Sequence, residues 1–286
     1  MHCALQKQLK IMNRFSFEFF PPKTPQGRDN LIVTRRALNE LGPDFFSVTY
    51  GAGGSTRDNT KGVVVAMRND GISVAPHLSF GGDDEASIIQ LLAEYKNAGI
   101  DRVVALRGDI PSGMGAQRLV YARELVEVIR REFGDYFNIE VAAYPEIHPD
   151  ARTYGEDIAF LKQKLDAGAN SAITQYFYNA DAYFYFIEQC RNAGIDKPIY
   201  PGIMPITNYT NLARFSRNCG AEIPRWISKR LEQYGDDLQS QSEFGIEVVT
   251  HLCEQLLAGS APGLHFYTMN QIEPTSTIWN SLRLST

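Results

Sequence analysis

The sequence predicts an α/β protein folded as a (β/α)8 TIM barrel, and three observations lead there. Eight short β-favouring segments alternate with amphipathic helical ones along the 286 residues, which calls for parallel strand pairing. Eight such units in about 250 residues is the usual size of a closed barrel. No G-x-G-x-x-G follows the first strand, which argues against an open, dinucleotide-binding sheet. No low-complexity linker interrupts the chain, so residues 14–286 are expected to form one barrel domain. Residues 1–13, polar and irregular, read as a short N-terminal arm.

The first strand is Phe15–Phe20, and it carries a contradiction. Side chains alternate along a strand, so Phe15, Phe17 and Phe19 share one face while Ser16, Glu18 and Phe20 share the other. Pro21 and Pro22 end it, since proline cannot donate to a ladder. A carboxylate in so apolar a segment should lose hydration and have its pKa raised, as a general acid working near neutral pH requires. The alternative is a structural pairing of Glu18 with a buried Arg or Lys.

The remaining strands are Phe45–Tyr50, Ser73–Leu78, Arg102–Arg107, Ile139–Tyr144, Ser171–Tyr176, Pro198–Ile203 and Leu264–Met269. Helices fall at Asn30–Leu41, Glu85–Ala98, Leu119–Phe133, Gly155–Ala167 and Ala182–Ala193. Gly99, Gly168 and Gly194 supply helix stops before the next strands. The interval from Ile203 to Leu264 is long enough for three extra helices, near Asn208–Cys219, Pro224–Tyr234 and Ser242–Ala258.

Composition narrows the function classes. Hydrophobic residues make up 44% and charged residues 21%, which suits a soluble globular protein. A net charge of −5 gives no reason to expect nucleic acid. No apolar run approaches the roughly 18 residues of a membrane span, and Met1–Asn13 lacks a signal-peptide core. Cys3, Cys190, Cys219 and Cys253 are scattered without metal-ligand spacing, so they are expected to be free thiols in a cytoplasmic protein. His77 and His148 make no metal motif, and no metal is expected.

In such a barrel, function collects where strands run into βα loops. Polar residues crowd there: Thr49-Tyr50-Gly51-Ala52-Gly53-Gly54, Pro76-His77, Arg107-Gly108-Asp109, Tyr144-Pro145-Glu146-Ile147-His148, Thr174-Gln175 and His265 to Gln271. Each has a bland explanation alone: a flexible turn, an Arg107–Asp109 salt bridge, aromatic core filling. Together they suit a large flat ligand with polar ends.

These segments also carry a resemblance. From Phe15 almost to the C-terminus the chain resembles the bacterial methylenetetrahydrofolate reductases. The features are Phe-Glu-Phe-Phe-Pro-Pro, Leu-Arg-Gly-Asp, Tyr-Pro-Glu-x-His-Pro and Phe-Tyr-Thr-Met-Asn. The resemblance implies a (β/α)8 barrel holding FAD without a Rossmann domain. It implies ping-pong chemistry in which NADH or NADPH reduces FAD and leaves. Reduced flavin then converts 5,10-methylenetetrahydrofolate to 5-methyltetrahydrofolate, the methyl source for methionine synthesis. A homo-oligomer is implied as well. Glu18 matches the family's general acid, and Asp109 the carboxylate beside flavin and pterin that steadies developing positive charge. By the same matching, Thr49, Tyr50, Ala52, His77, Arg107, Gly108, Asp109, Tyr121, Ala122, Tyr144, His148, Ala151, Asp157 and Lys164 contact FAD. Arg107 and Lys164 would take the pyrophosphate. Substrate would meet Glu18, Asp109, Gln175, Phe215 and Gln271. The match departs at Gln271, where family members carry Arg, and at Asn211, where Gln is common; both bear on the folate glutamate tail. Two alternatives stand beside this reading: another FAD-dependent barrel of the proline-dehydrogenase kind, and a non-catalytic folate-binding barrel.

Overall fold

The computed structural model describes residues 13–50, 55–80, 83–107 and 121–284. Eight parallel strands close a barrel in sequence order: β1 (Arg14–Phe19), β2 (Phe45–Val48), β3 (Val74–Leu78), β4 (Arg102–Ala105), β5 (Asn138–Ala143), β6 (Ser171–Tyr176), β7 (Ile199–Ile203) and β8 (Gly263–Tyr267). Between them run α1 (Pro25–Asn39), α2 (Ser55–Asn69), α3 (Glu85–Asn97), α4 (Ala122–Phe133), α5 (Tyr154–Asp166) and α6 (Ala180–Asn192). The expected extra structure before the last strand is α7 (Tyr209–Cys219), α8 (Arg225–Tyr234) and α9 (Leu238–Ala258). A last helix, α10 (Thr275–Ser281), had no counterpart in the sequence reading, which also named no helix at the place of α2. Of the expected N-terminal arm, residues 1–12 lie outside the described residues.

Helix starts follow local chemistry. Thr24 caps α1 by accepting from Gly27 N, with Pro25 in the first turn where its missing N–H costs nothing. Asp84, Thr153, Asn208 and Asp237 cap α3, α5, α7 and α9 in the same way. Gly99, Gly168 and Gly194 follow α3, α5 and α6 with φ of 75°, 120° and 78°, a region that favours glycine.

Strand alternation divides the barrel as expected. Phe15, Phe17 and Phe19 face outward into the core beneath the helices, where Trp279 of α10 packs on Phe15 and Phe17 with centroids 5.3 and 5.2 Å away. Inside, Phe45, Ala75, Val104, Ile173 and Tyr200 form a separate apolar plug. Arg14, Arg102 and Glu140 lie toward the N-terminal strand ends, and Glu18 and its neighbours toward the C-terminal ends.

Five strands are shorter than expected, β3 and β7 by one residue at the start and three others by two at the end. β2, β4 and β8 end at Val48, Ala105 and Tyr267, each two residues before the predicted Tyr50, Arg107 and Met269. Single backbone bonds carry on past all three of these ends, Thr49 N to Phe19 O at 2.8 Å, Leu106 N to Leu78 O at 2.9 Å and Thr268 N to Glu18 O at 3.2 Å. After β8 the chain turns at once, because Met269 and Asn270 take φ of 52° and 56°, which no ladder accommodates. Thr49, Tyr50, Arg107, Thr268 and Asn270 therefore sit on βα loops, while His77, Gln175 and His265 stay within their strands.

Candidate active site

Glu18 comes at the end of β1 with its side chain inside the barrel, in register with Ser47 of β2 and Tyr267 of β8. Its side chain is 15% exposed, and every contact it makes with a described side chain ends on Oε2. His265 Nε2 of β8 lies 3.2 Å away, His77 Nε2 of β3 also 3.2 Å, and the Ser47 hydroxyl donates at 3.4 Å. The His77 contact is off-axis and does not satisfy that nitrogen as a hydrogen bond. His265 is fully buried, with Nδ1 2.7 Å from the Ser16 hydroxyl. Thr268 fixes the Glu18 main chain, its hydroxyl donating to the Glu18 carbonyl at 2.6 Å.

The acidity of Glu18 runs opposite to the sequence expectation. Burial does push the carboxyl up, and is the largest single effect. The contacts with the two histidines, electrostatic attraction to His77 first and the hydrogen bond from His265 next, together outweigh it, holding Glu18 down at about 2. The structural alternative is corrected too, since the partners are histidines and neither Arg nor Lys. Alternation revealed that Glu18 is buried but not what it is buried against.

A second cluster gathers beyond β4 and β5. Arg107 pairs with Asp150 at 2.6 Å, and the Tyr144 and His148 rings meet edge to face at 4.4 Å. Asp157 of α5 accepts from His148 N at 2.9 Å, and His148 Nδ1 accepts from Asp150 N at 3.0 Å, which leaves the ring hydrogen on Nε2. Lys164 donates to the Ala142 carbonyl and, among the described residues, meets no carboxylate at ion-pair distance. Burial lowers its pKa to about 8, with Asp157 opposing and Arg107 adding to the shift. Burial and then Arg107 also lower His148. An ammonium taken out of water without a paired anion, beside a second cation, is suited to a diphosphate. Those residues fit the pyrophosphate of a dinucleotide cofactor such as FAD. Close by, Glu146 accepts from Glu222 N at 2.7 Å, and burial raises its carboxyl to about 6.

Comparison with known proteins gives this geometry a family. The model of the methylenetetrahydrofolate reductase family matches residues 4–283. The 5,10-methylenetetrahydrofolate reductase of Escherichia coli is 37% identical over 268 residues, covering 93% of this chain and 90% of that protein. The chain belongs to the methylenetetrahydrofolate reductase family. A probable methylenetetrahydrofolate reductase (NADH) of Oryza sativa is 42% identical over 90% of this chain, which spans about half of that longer protein, 46%. Among solved structures, an uncharacterized Clostridium thermocellum protein that binds two copies of 5-methyl-5,6,7,8-tetrahydrofolic acid shares the fold, with a TM-score of 0.64 and 16% identity over 93% of each chain.

Of the residues that the reductase family resemblance singles out, the structure brings Glu18 and His77 together, and separately Arg107, Tyr144, His148, Asp157 and Lys164. Thr49 and Tyr50 follow β2; the Thr49 carbonyl accepts from Thr60, and the Tyr50 hydroxyl donates to Asp83 at 3.4 Å. Tyr121 is the exposed N-cap residue of α4 and Ala122 its buried first residue. Ala151 N donates to the His148 carbonyl, closing the turn after β5. Gln175 folds back on its own strand, its Oε1 accepting from Tyr176 N at 3.0 Å. Phe215 is an exposed ring on α7, with the Arg214 guanidinium 5.4 Å from its centroid. Gln271 is exposed on the turn after β8, and Asn211 in the first turn of α7. Ala52, Gly108 and Asp109 lie outside the described residues, as does the Gly51–Gly54 run. The sequence reading passed over Ser16, Ser47, His265 and Thr268 as site residues. A signal existed for two of them: Ser16 precedes Glu18 by two on one strand face, and His265 alternates with Tyr267 on the strand that closes the barrel.

Proposed function

We propose that the protein is an FAD-dependent methylenetetrahydrofolate reductase that uses NAD(P)H and works by a ping-pong mechanism. The observation that carries the reading is Glu18, a carboxylate held inside the barrel mouth with one oxygen engaged by histidines, in a chain of this family. Bound FAD supplies the hydride relay that joins the nicotinamide and folate half-reactions. Arg107 and Lys164 hold its pyrophosphate, with His148 and Tyr144 beside them, and Asp109 stands as the carboxylate that steadies positive charge on the pterin.

Glu18 does the proton work. The five-membered ring of methylenetetrahydrofolate must open before its one-carbon unit can accept a hydride. A carbon–nitrogen bond breaks, its electron pair goes to nitrogen, and that nitrogen takes a proton. The donor is Oε1 of Glu18, because the described contacts all end on Oε2. A carboxyl held at about 2 is ionised at neutral pH, so the site must raise it before it can donate. A pterin filling the mouth takes the remaining 15% of the side chain out of water, which adds to the upward effect of burial. The same reading places the protein in the cytoplasm as a homo-oligomer; Cys190, Cys219 and Cys253 are unpaired, as a reducing compartment keeps them.

The test is a spectrum and a rate. The purified protein should be yellow and release FAD on denaturation, and should oxidise NADH or NADPH when methylenetetrahydrofolate is added, with parallel initial-rate plots. Protein that binds no flavin after incubation with FAD, and shows no folate-dependent oxidation of either nucleotide, overturns the reading; intersecting plots overturn its ping-pong part.

A further inference from the structure

We propose that His265 and Ser16 form a positioning pair that fixes the orientation of Glu18 and thereby places its labile proton on Oε1. The inference rests on the reading of Glu18 as the proton donor and assigns roles to two residues that act through it.

The geometry is a chain of three side chains inside the barrel. Ser16 and Glu18 lie two apart on the same face of β1, and His265 comes from β8, paired with Ser16 in the ladder. His265 has no exposed surface and both ring nitrogens are engaged, Nδ1 with Ser16 Oγ at 2.7 Å and Nε2 with Glu18 Oε2 at 3.2 Å. Its ring packs between Phe45, stacked at 6.3 Å, and Tyr267, edge-on at 5.3 Å. A neutral imidazole carries one hydrogen, and its second nitrogen must accept. With the serine hydroxyl donating to Nδ1, the hydrogen resides on Nε2 and points at Oε2. An oxygen that accepts from His265 and Ser47 is the wrong one to carry the acid proton, which leaves Oε1. Ser16 thus sets the tautomer, the tautomer sets the oxygen, and the oxygen sets where the proton is delivered.

His77 touches the same oxygen but differs in kind. Its nitrogen is off-axis and unsatisfied, so it contributes charge and little direction. The titratable groups of the described residues that face the pair are His77 from β3 and Tyr267 from β8. From β1 Glu18 itself faces it, and from β2 the Ser47 hydroxyl meets the same Glu18 oxygen.

The experiment uses the full chain with its cofactor and three variants, Ser16→Ala, His265→Phe and His265→Asn, the first also in a Glu18→Gln background. In 15N-histidine NMR spectra of the ligand-free protein, His265 should be the Nε2–H tautomer, its signals assigned by their loss in His265→Phe. In the Glu18→Gln background, where residue 18 can either donate or accept, Ser16→Ala should convert it to a mixture of tautomers. In the steady state, His265→Phe should lower kcat for methylenetetrahydrofolate by about a hundredfold, the scale of a misplaced reacting group, with KM little changed. Ser16→Ala should lower kcat about five- to tenfold, the worth of one neutral hydrogen bond. Removing the bond from His265 also removes a contact that favours the ionised acid, so the pH at which kcat declines should move upward in His265→Phe. His265→Asn, which restores a donor, should recover part of both effects. A purely structural histidine would move neither the tautomer in Ser16→Ala on that background nor the pH profile. Unchanged kcat and pH profile in the variants, with an active wild type, overturn the inference; an inactive wild type overturns the proposed function instead. Should His265→Phe fail to fold, the tautomer of Ser16→Ala in the Glu18→Gln background and the kcat of Ser16→Ala alone decide: a fixed tautomer with unchanged kcat counts against the pair.

Discussion

Two buried carboxylates stand inside this barrel, one at each end, and each is flanked by two basic side chains. At the N-terminal end Glu140 Oε1 meets Arg102 at 2.6 Å and Arg14 at 3.1 Å, and the Glu140 side chain has no exposed surface. Phe45 and Tyr200 cover the guanidiniums, with Arg14 3.8 Å from the Tyr200 centroid and Arg102 4.5 Å from that of Phe45. At the C-terminal end Glu18 meets two histidines and remains 15% exposed. The difference is in what the partners can do. Arginine keeps its charge in a protein, so both partners of Glu140 stay cationic and the carboxylate is locked between them. The histidine contacts leave part of Glu18 open to solvent, so a ligand that covers the mouth changes the burial of the acid and retunes it. The same elements, carboxylate plus two bases, make a fixed plug at one end and an adjustable acid at the other.

If that contrast is right, the largest effect on stability comes from the end without chemistry. Glu140→Ala leaves two guanidiniums buried beside each other with no counter-ion, which should cost about 3–5 kcal/mol. Equilibrium denaturation should show it as a lower midpoint with unchanged slope. A loss under about 1 kcal/mol would mean that the floor of the barrel admits water and the two ends are alike.

Glu18→Gln should act mainly on the chemistry, removing a step. Glutamine keeps the shape and loses the proton, so methylenetetrahydrofolate turnover should fall by at least about a hundredfold. NADH oxidation with menadione needs no proton from Glu18 and should stay near normal. Equal loss in both assays would reduce Glu18 to a scaffold residue like Glu140. A pH readout accompanies it. Glu18 is held at about 2 against an ordinary 4.5, so the stability it contributes is present above 4.5 and lost as pH falls through about 2. Acid unfolding of Glu18→Gln should therefore be shallower over that window than that of the unaltered protein.

How much of this could be read beforehand differs between the two ends. The barrel, and the division of Phe15, Phe17 and Phe19 from Glu18 onto opposite strand faces, follow from period and alternation, which are local properties; which face points inward came from the structure. The partners of Glu18 do not. His265 is 247 positions away and reaches Glu18 only because the barrel closes β8 onto β1. For the same reason the sign of the acidity shift was misread, since burial is written in the strand and the opposing histidines are not. Glu140 passed unnoticed inside Ile139–Tyr144, where a lone acid in an apolar strand gives no hint of two arginines from β1 and β4. α10 was missed because seven residues give too little periodicity to register.

The smallest expected effect lies at the rim, at Gln271. The turn that carries it is stiff: Asn270 accepts from Phe20 N at 3.0 Å and donates to Phe20 O at 2.8 Å, tying the end of β8 to the end of β1. Gln271 N donates to Thr268 O at 3.0 Å, and Thr268 in turn holds Glu18. The side chain of residue 271 is exposed, so exchanging it should leave the fold intact within about 0.5 kcal/mol. A glutamate tail leaving the mouth on this side would present carboxylates that glutamine can bind only as a neutral partner. Gln271→Arg supplies the charge, and an exposed ion pair is worth about 0.2–1 kcal/mol, or up to about fivefold in KM. KM for a polyglutamated folate should fall by that factor while NADH oxidation with menadione is unchanged, and added salt should erase the gain by screening it. If KM falls equally for nicotinamide and folate, the charge acts on the whole mouth. If it does not fall at all, the tail leaves by another side, and the stiff turn after β8 serves only to hold Thr268 against Glu18.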